Sequence, residues 1–411
     1  MTDPQRATQE PFTPYQRKLF VFLSVATLFE GYDFMALSQI LPQLKHSMGL
    51  DETDIGAMVA VINLGTVIAF ALVSLADRWG RKRLLTLTIA GYTVATFASG
   101  LAPNLIVLSL LQLLARMFLI AEWATSMVYA AEEFPTARRG MVIGVIQAFS
   151  SLGSIVCAGV VPILLRTSYG WRSVYFVGII PLIVLMIARR DLKESSRFTR
   201  DVGDKKKGSL WDIWKTGHRR RVLELAAIWA LTYLCTNNAV VFWKQFAVDE
   251  RGLTDGQVAL AITIAAVGSM PLVFYAGRIL DRIGRKKGAT LIFLVGAGGT
   301  FGCYTLHGFW PLTACLVLGI FGASAVLPVL NAFTAELFPT SMRADAFAWS
   351  NNLLGRTTYV LSPLAVGWAA KSIHWGPAMQ LTCTGPVIAL GLILALLPET
   401  NAKELDETAA L

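Results

Sequence analysis

The chain has 411 residues, 55% of them hydrophobic and only 15% charged, with a formal net charge of +9, whereas soluble domains carry nearer 25% charged residues. That balance excludes a disordered chain, and five cysteines are too few for a secreted disulfide scaffold. A nucleic-acid binder is set aside as well, because the basic residues sit at the edges of apolar runs, and a polytopic membrane protein remains.

In chain order, residues 1–17 are polar, contain Asp3 and Glu10, and lack the features of a cleavable signal. The apolar run near 18–42 is too long for a signal core and is expected to insert by itself; it carries Glu30 and Asp33. Further runs near 55–77, 83–101, 104–131, 140–165 and 171–188 predict five more spans. Residues 189–220 form a charged linker with Lys205, Lys206 and Lys207, expected to be flexible. Runs near 221–248, 257–280, 288–306, 309–336, 344–371 and 375–397 predict a second set of six, before a polar tail at 398–411. Each run is near the roughly 20 residues that a membrane helix needs. They do not alternate as barrel strands do, so helices are expected. The fold class is thus an all-α membrane protein with twelve transmembrane helices in two six-helix halves, 18–188 and 221–397. The cysteines all lie inside spans and read as small packing residues.

Of the 36 Lys and Arg, 28 fall on the side that holds residues 1–17, the linker and the tail, and five fall opposite. The positive-inside rule puts that side, with both termini, in the cytoplasm of a cell with a plasma (inner) membrane.

The chain is also written twice. Asp77-Arg78-Trp79-Gly80-Arg81-Lys82 recurs as Asp281-Arg282-Ile283-Gly284-Arg285-Lys286, and Glu132, Phe134, Pro135, Thr136 and Arg139 recur as Glu336, Phe338, Pro339, Thr340 and Arg343, both 204 residues later. Parallel repeats of this kind build transporters whose substrate sits between halves near the bilayer midplane. The repeated D-R-x-G-R-K resembles the signature of the major facilitator superfamily, although Val73 stands where the family has the glycine found at Gly277. E-x-x-P-x-x-x-R after spans 4 and 10, and Pro398-Glu399-Thr400 after span 12, resemble the sugar-porter and metabolite–proton symporter branches. Glu30-Gly31-Tyr32-Asp33 and Glu122-Trp123 are similar to proton-coupled members. The resemblance implies that Asp77, Arg81, Glu132 and Arg139, with Asp281, Arg285, Glu336 and Arg343, form ion pairs that shut the cytoplasmic side. Plain loop charges, each contributing under about 1 kcal/mol, are the alternative. Gly80 and Gly284 are expected to allow a tight reversal of the chain.

Charges inside spans are costly and mark a pathway. At about 1.5 Å per residue, Asp33 and Arg116 lie roughly 22 Å from the cytoplasmic end of their spans, Glu30 and Arg356 roughly 18 Å, and Glu122 roughly 14 Å. A buried carboxylate beside an arginine is a usable proton carrier. Asp33 facing Arg116 is the arrangement the resemblance implies, though the family's arginine would fall one turn away, at Gln112. Glu30 or Glu122 as carrier, or static pairing, are the other readings. Arg356 has no repeat counterpart and suits an anionic substrate; pairing with Glu30, Glu122 or a backbone carbonyl is the other reading. Gln147, Ser150, Trp229, Asn237, Asn238, Asn351 and Tyr359 are expected to line the cavity, with interhelical bonding or packing as the alternative for each.

The expected function is secondary active transport, with proton-coupled uptake of a small organic anion ahead of proton-coupled efflux and of uptake of a neutral sugar or polyol. No P-loop, nucleophile cluster or metal-ligand cluster points to an enzyme, and neither a cofactor nor a metal is expected. The partners are a small-molecule substrate, protons and the lipid bilayer, without nucleic acid, and a monomer is expected to suffice.

Overall fold

A computed structural model describes residues 12–73, 79–180, 211–339 and 342–400. Asp77 lies outside them, as do the side chains of Arg81 and Arg139. The described residues are helical, without strands, and the twelve-helix expectation is consistent with them. The helices are α1 (Pro14–Met48), α2 (Glu52–Val73), α3 (Arg81–Ser99), α4 (Leu105–Glu133), α5 (Thr136–Leu164) and α6 (Trp171–Phe176), which runs on into a 3-10 turn at Val177–Ile179. A second 3-10 turn, Asp212–Lys215, precedes α7 (Arg219–Val241), α8 (Trp243–Asp249), α9 (Asp255–Ile283), α10 (Arg285–Cys303) and α11 (Phe309–Glu336). Then come α12 (Arg343–Phe347), a π-helix (Ala348–Gly355), α13 (Arg356–Ile373), α14 (Trp375–Thr382) and α15 (Thr384–Leu396).

Local chemistry fixes several starts. Asn104 accepts a bond from the Val107 N–H ahead of α4, and Thr254 with Gln257 forms a capping box on α9. The Gly80 and Gly284 turns have φ of 88° and 94°, a region that disfavours side chains, so both glycines are required by the backbone. At Gly277, by contrast, an added Cβ meets nothing within 4 Å.

The described residues fall into two compact units. One is drawn from Met1–Met48 and Val61–Lys206, the other from Gly49–Ala60 and Lys207–Leu411. In the first, α1 and α5 touch backbone to backbone. A Cβ on Gly31 would lie 1.9 Å from the Ser150 carbonyl oxygen, and one on Gly153 would lie 1.8 Å from that of Leu28. Small residues serve here because lipid gives helices no hydrophobic reason to associate, so close packing must do it. Leu19, Phe22, Tyr92, Tyr129 and Ile146 are part of the core beside this seam.

In the second unit a glycine seam joins α10 and α11. A Cβ on Gly322 would stand 2.1 Å from the Gly296 Cα, and one on Gly299 would stand 2.7 Å from the Gly319 nitrogen. The start of α2 belongs to this unit through Gly56, which lies against Gly367 and the Pro363 carbonyl of α13. Lys371 pairs with Asp51 at 2.8 Å and, by that hydrogen bond, holds the Asp51 carboxyl below its ordinary value. Helices α7 and α8 meet at a 50° bend with no proline at the break. Side chains beyond the break tie α8 down. Buried Lys244 pairs with Asp255 at 2.7 Å, Glu250 accepts the Trp375 and Gly376 N–H groups at the start of α14, and Arg251 donates to the Thr305 and Leu306 carbonyls.

Candidate functional site

The first unit gathers the mid-span charges of α1 and α4. Gly31 explains how: without a Cβ it lets α1 lie on α5, with Ser154 donating to its carbonyl, while its neighbours Glu30 and Asp33 serve the polar layer. Gly65 brings α2 close to α4: a Cβ there would lie 2.4 Å from the Leu113 carbonyl oxygen and 3.3 Å from the Arg116 Cβ. Asp33 accepts from the Thr96 hydroxyl at 3.4 Å. Arg116, 8% exposed, lies over the Phe34 ring at 4.8 Å and within electrostatic range of both Asp33 and Glu30. No ion pair joins Arg116 to either, and its Nη1 has no hydrogen-bond partner among the described residues. Glu122 is fully buried. Its Oε1 accepts from Ser126 at 2.6 Å, while Oε2, like Oε2 of Glu30, has no hydrogen-bond partner among the described residues. Gln112, one turn from Arg116, donates to Ser99. Gln147 accepts from Trp123, and Ser150 lends its backbone to the α1–α5 seam.

The second unit builds an aromatic and amide site around Arg356. Trp229, Tyr233 and Asn237 follow one another at four-residue intervals and so share a face of α7. Tyr233 stacks on Trp229 with ring centres 5.4 Å apart and meets Tyr359 edge-on at 5.4 Å. Its hydroxyl donates to Asn351 Oδ1 at 2.7 Å, and its oxygen is within hydrogen-bonding reach of Arg356. The Trp229 indole N–H and the Asn237 amide nitrogen are buried without a hydrogen-bond partner among the described residues. A donor left so costs about 1–3 kcal/mol, which a ligand would recover. Asn238 turns elsewhere: it donates to Leu234 O and Ser362 Oγ and ties α7 to α13. Tyr233 is the member that sequence reasoning passed over; the signal was its four-residue spacing from Trp229 and Asn237.

The repeated loop motif forms a charge network in the second unit. Arg285 donates to Glu336 through Nε and Nη2 and to Asp281 through Nη1, at 2.9 Å for the shortest Glu336 contact and 2.6 Å for Asp281. Thr400 donates to Glu336, and Glu399 accepts the Arg285 and Lys286 N–H groups at the start of α10. Arg343 stands apart, donating to the Phe338 carbonyl, with its Nε unpartnered among the described residues. In the first unit Glu132 is described at the end of α4; Asp77 and the side chains of Arg81 and Arg139 lie outside the description. Among the described residues no group of three or more His, Cys, Asp or Glu could hold a metal ion.

Among the described residues, seven helices are long and apolar enough to cross a membrane, or eight if α7 and α8 count as one span. The chain is 27% identical over 400 residues to a protein of Cupriavidus pinatubonensis named as a 4-methylmuconolactone transporter, covering 96% of this chain and 93% of that one. It is 25% identical over 407 residues to one of Bacillus subtilis named as a niacin/nicotinamide transporter, covering 97% and 99%. The structure superposes on the crystal structure of a D-xylose–proton symporter with a TM-score of 0.77 at 18% identity, over 95% and 99% of the two chains. The Major Facilitator Superfamily model matches residues 23–248 and 225–410. The chain belongs to this superfamily of multi-pass membrane transporters, not to an enzyme family.

Proposed function

We propose that the protein imports a small organic anion together with protons, by alternating access in the plasma membrane, with both termini in the cytoplasm and one chain sufficient. The halves 18–188 and 221–397 are the moving bodies, and residues 189–220 are the tether. The observation that carries the anionic substrate is Arg356, set among Tyr233, Asn351, Tyr359 and Trp229. A guanidinium offers a carboxylate two parallel hydrogen bonds, and the aromatic rings beside it suit a flat, unsaturated skeleton. The names of the two relatives, a muconolactone and a niacin transporter, agree with that class. Proton coupling is supported by Asp33 and Glu30, both within electrostatic range of Arg116, and by buried Glu122 within range of Glu30. The ion-pair network of Arg285 with Asp281 and Glu336 supports a cytoplasmic gate, with Asp77, Arg81, Glu132, Arg139 and Arg343 as its proposed further members.

The test is uptake by proteoliposomes under an imposed inward proton gradient, offering nicotinate, gallate, cis,cis-muconate and 4-methylmuconolactone against glucose and xylose. Saturable, gradient-driven uptake of a carboxylate is expected, lost in Arg356→Ala. Asp33→Asn is expected to abolish accumulation while sparing exchange of substrate across the membrane. Uptake of a sugar that survives Arg356→Ala would reject the anionic reading. Release of substrate from loaded vesicles coupled to proton entry, with no uptake, would reverse the direction.

A further inference from the structure

Span 11 is not a plain α-helix. Between α12 and α13 it widens into the π-helix Ala348–Gly355, closed by the Arg356 N–H donating back to the Asn351 carbonyl. Such turns are rare and occur at functional sites. Here the reason is visible at Gly355. A Cβ there would lie 2.7 Å from the Ser350 carbonyl oxygen, five residues back, and 2.7 Å from the Trp229 Cβ. The wide turn and its close approach to α7 both need a glycine at this position.

What the turn carries matters more. Near one end Trp349 is gripped between two indoles, Trp211 with ring centres 4.8 Å away at 63° and Trp214 at 5.1 Å and 87°. Those two belong to the 3-10 turn region just ahead of α7, which is anchored by Ile213, 1% exposed in the core. In the middle Asn351 accepts from Tyr233, and the far end opens into Arg356. If the π-turn closed to an α-turn, the register would slip by one residue, and everything beyond it would rotate by about 100° relative to everything before it. Asn351 and Arg356 could not then both meet Tyr233 while Trp349 stayed between its partners.

We propose that Trp349 is a positioning residue for the substrate site: its grip by Trp211 and Trp214 holds the π-helical turn, and that turn sets the register at which Asn351 and Arg356 meet Tyr233. The inference rests on reading Arg356 as the docking group for a carboxylate. It also gives the end of the linker a task, because Trp211 and Trp214 are the residues through which residues 211–215 reach the substrate site.

Two measurements test it on the full-length protein, with Trp349→Ala, Trp349→Phe and the pair Trp211→Ala/Trp214→Ala. Exposed Trp310, 70% accessible on α11, replaced by Ala is the control. Hydrogen exchange of residues 348–356, which needs no substrate, is expected to quicken about tenfold in Trp349→Ala and in the Trp211/Trp214 pair, as loss of two aromatic contacts implies. Trp349→Phe, which keeps a ring, should exchange far less fast. In proteoliposomes, the Michaelis constant for whichever of the four carboxylates above is taken up fastest should rise about tenfold in the same variants. Maximal rate should change much less, and Trp349→Phe should restore most of the affinity. Unchanged exchange, or faster exchange with an unchanged Michaelis constant, overturns the positioning role. If one variant does not fold, the other carries the same test from the opposite side of the contact. An Arg356→Ala protein that keeps its carboxylate affinity would instead refute the docking reading, and the exchange data would still judge the clamp.

Discussion

Tyr233 touches Trp229, Asn351 and Tyr359, and its hydroxyl, which bonds Asn351, also lies within reach of the Arg356 guanidinium. Tyr233→Phe keeps the ring contacts and removes that hydroxyl. At about 1 kcal/mol for each of one or two hydrogen bonds, the Michaelis constant for a carboxylate should rise roughly 5- to 30-fold. The melting temperature should hardly move. An unchanged constant in saturable uptake would mean that Tyr233 only packs. The sequence singles out Trp229, Asn237, Asn351, Arg356 and Tyr359, because polar, charged and aromatic groups stand out at mid-depth. It passes over Tyr233 because a tyrosine inside an apolar run reads as packing, and only its place between Trp229 and Asn237 on one helical face betrays it. Asn238 shows the converse: it is polar and adjacent, but one residue round the helix, so it faces Ser362. Pairing is harder still to read, since Arg116 lies near Asp33 and Glu30 without bonding either.

Helices as elements were legible from the length of each apolar run, since lipid leaves the backbone no other way to satisfy itself. Their interruptions were not. Prolines stand inside α1, α5, α9, α11 and α13 without splitting them, whereas the α7–α8 bend at Phe242 and the π-turn before Arg356 have none. Tertiary ties cause both: Lys244, Glu250 and Arg251 hold α8, and Gly355 admits the wide turn. The glycine seam between α10 and α11 gives a prediction at this scale. Gly322→Val would drive a side chain into Gly296, so the helices must separate at a cost of about 1–3 kcal/mol. Detergent-purified protein should melt at a lower temperature; an unchanged melting curve would show that the seam opens freely. The loop network gives another. Glu336→Gln removes the charge that Arg285 grips with two nitrogens and that Thr400 also reaches. Combined with Glu132→Gln, it should raise the labelling of cysteines placed in the cytoplasmic cavity, and unchanged labelling would reduce these acids to ordinary loop charges.

At the scale of the molecule, the repeat offset of 204 made two similar halves readable, because one motif set needs one fold twice. It gave no hint that Gly49–Ala60 would group with the second unit, since that depends on Gly56 finding Gly367, a contact far apart in sequence. Charge balance in the first unit leads to a prediction about energy coupling. Its mid-span layer holds three carboxylates, Glu30, Asp33 and Glu122, and among the described residues of that layer one cation, Arg116. Ionised together, the three would leave two negative charges uncompensated in a medium that tolerates charge poorly. Neutrality therefore takes two protons, with Arg116 balancing the third acid. A monocarboxylate entering with two protons carries one net positive charge inward, so an inside-negative potential helps. At 100 mV the gain is about 2.3 kcal/mol, or roughly 50-fold in accumulation. With a single proton the same import is electroneutral and the potential does nothing. Proteoliposomes clamped by potassium and valinomycin separate these cases at fixed pH difference. A rise near the two-proton value is expected, and Glu122→Gln should abolish the response to potential by removing one proton site, while accumulation driven by the pH difference persists. Accumulation that ignores the potential in the unaltered protein would mean that one of these carboxylates never exchanges its proton in the cycle.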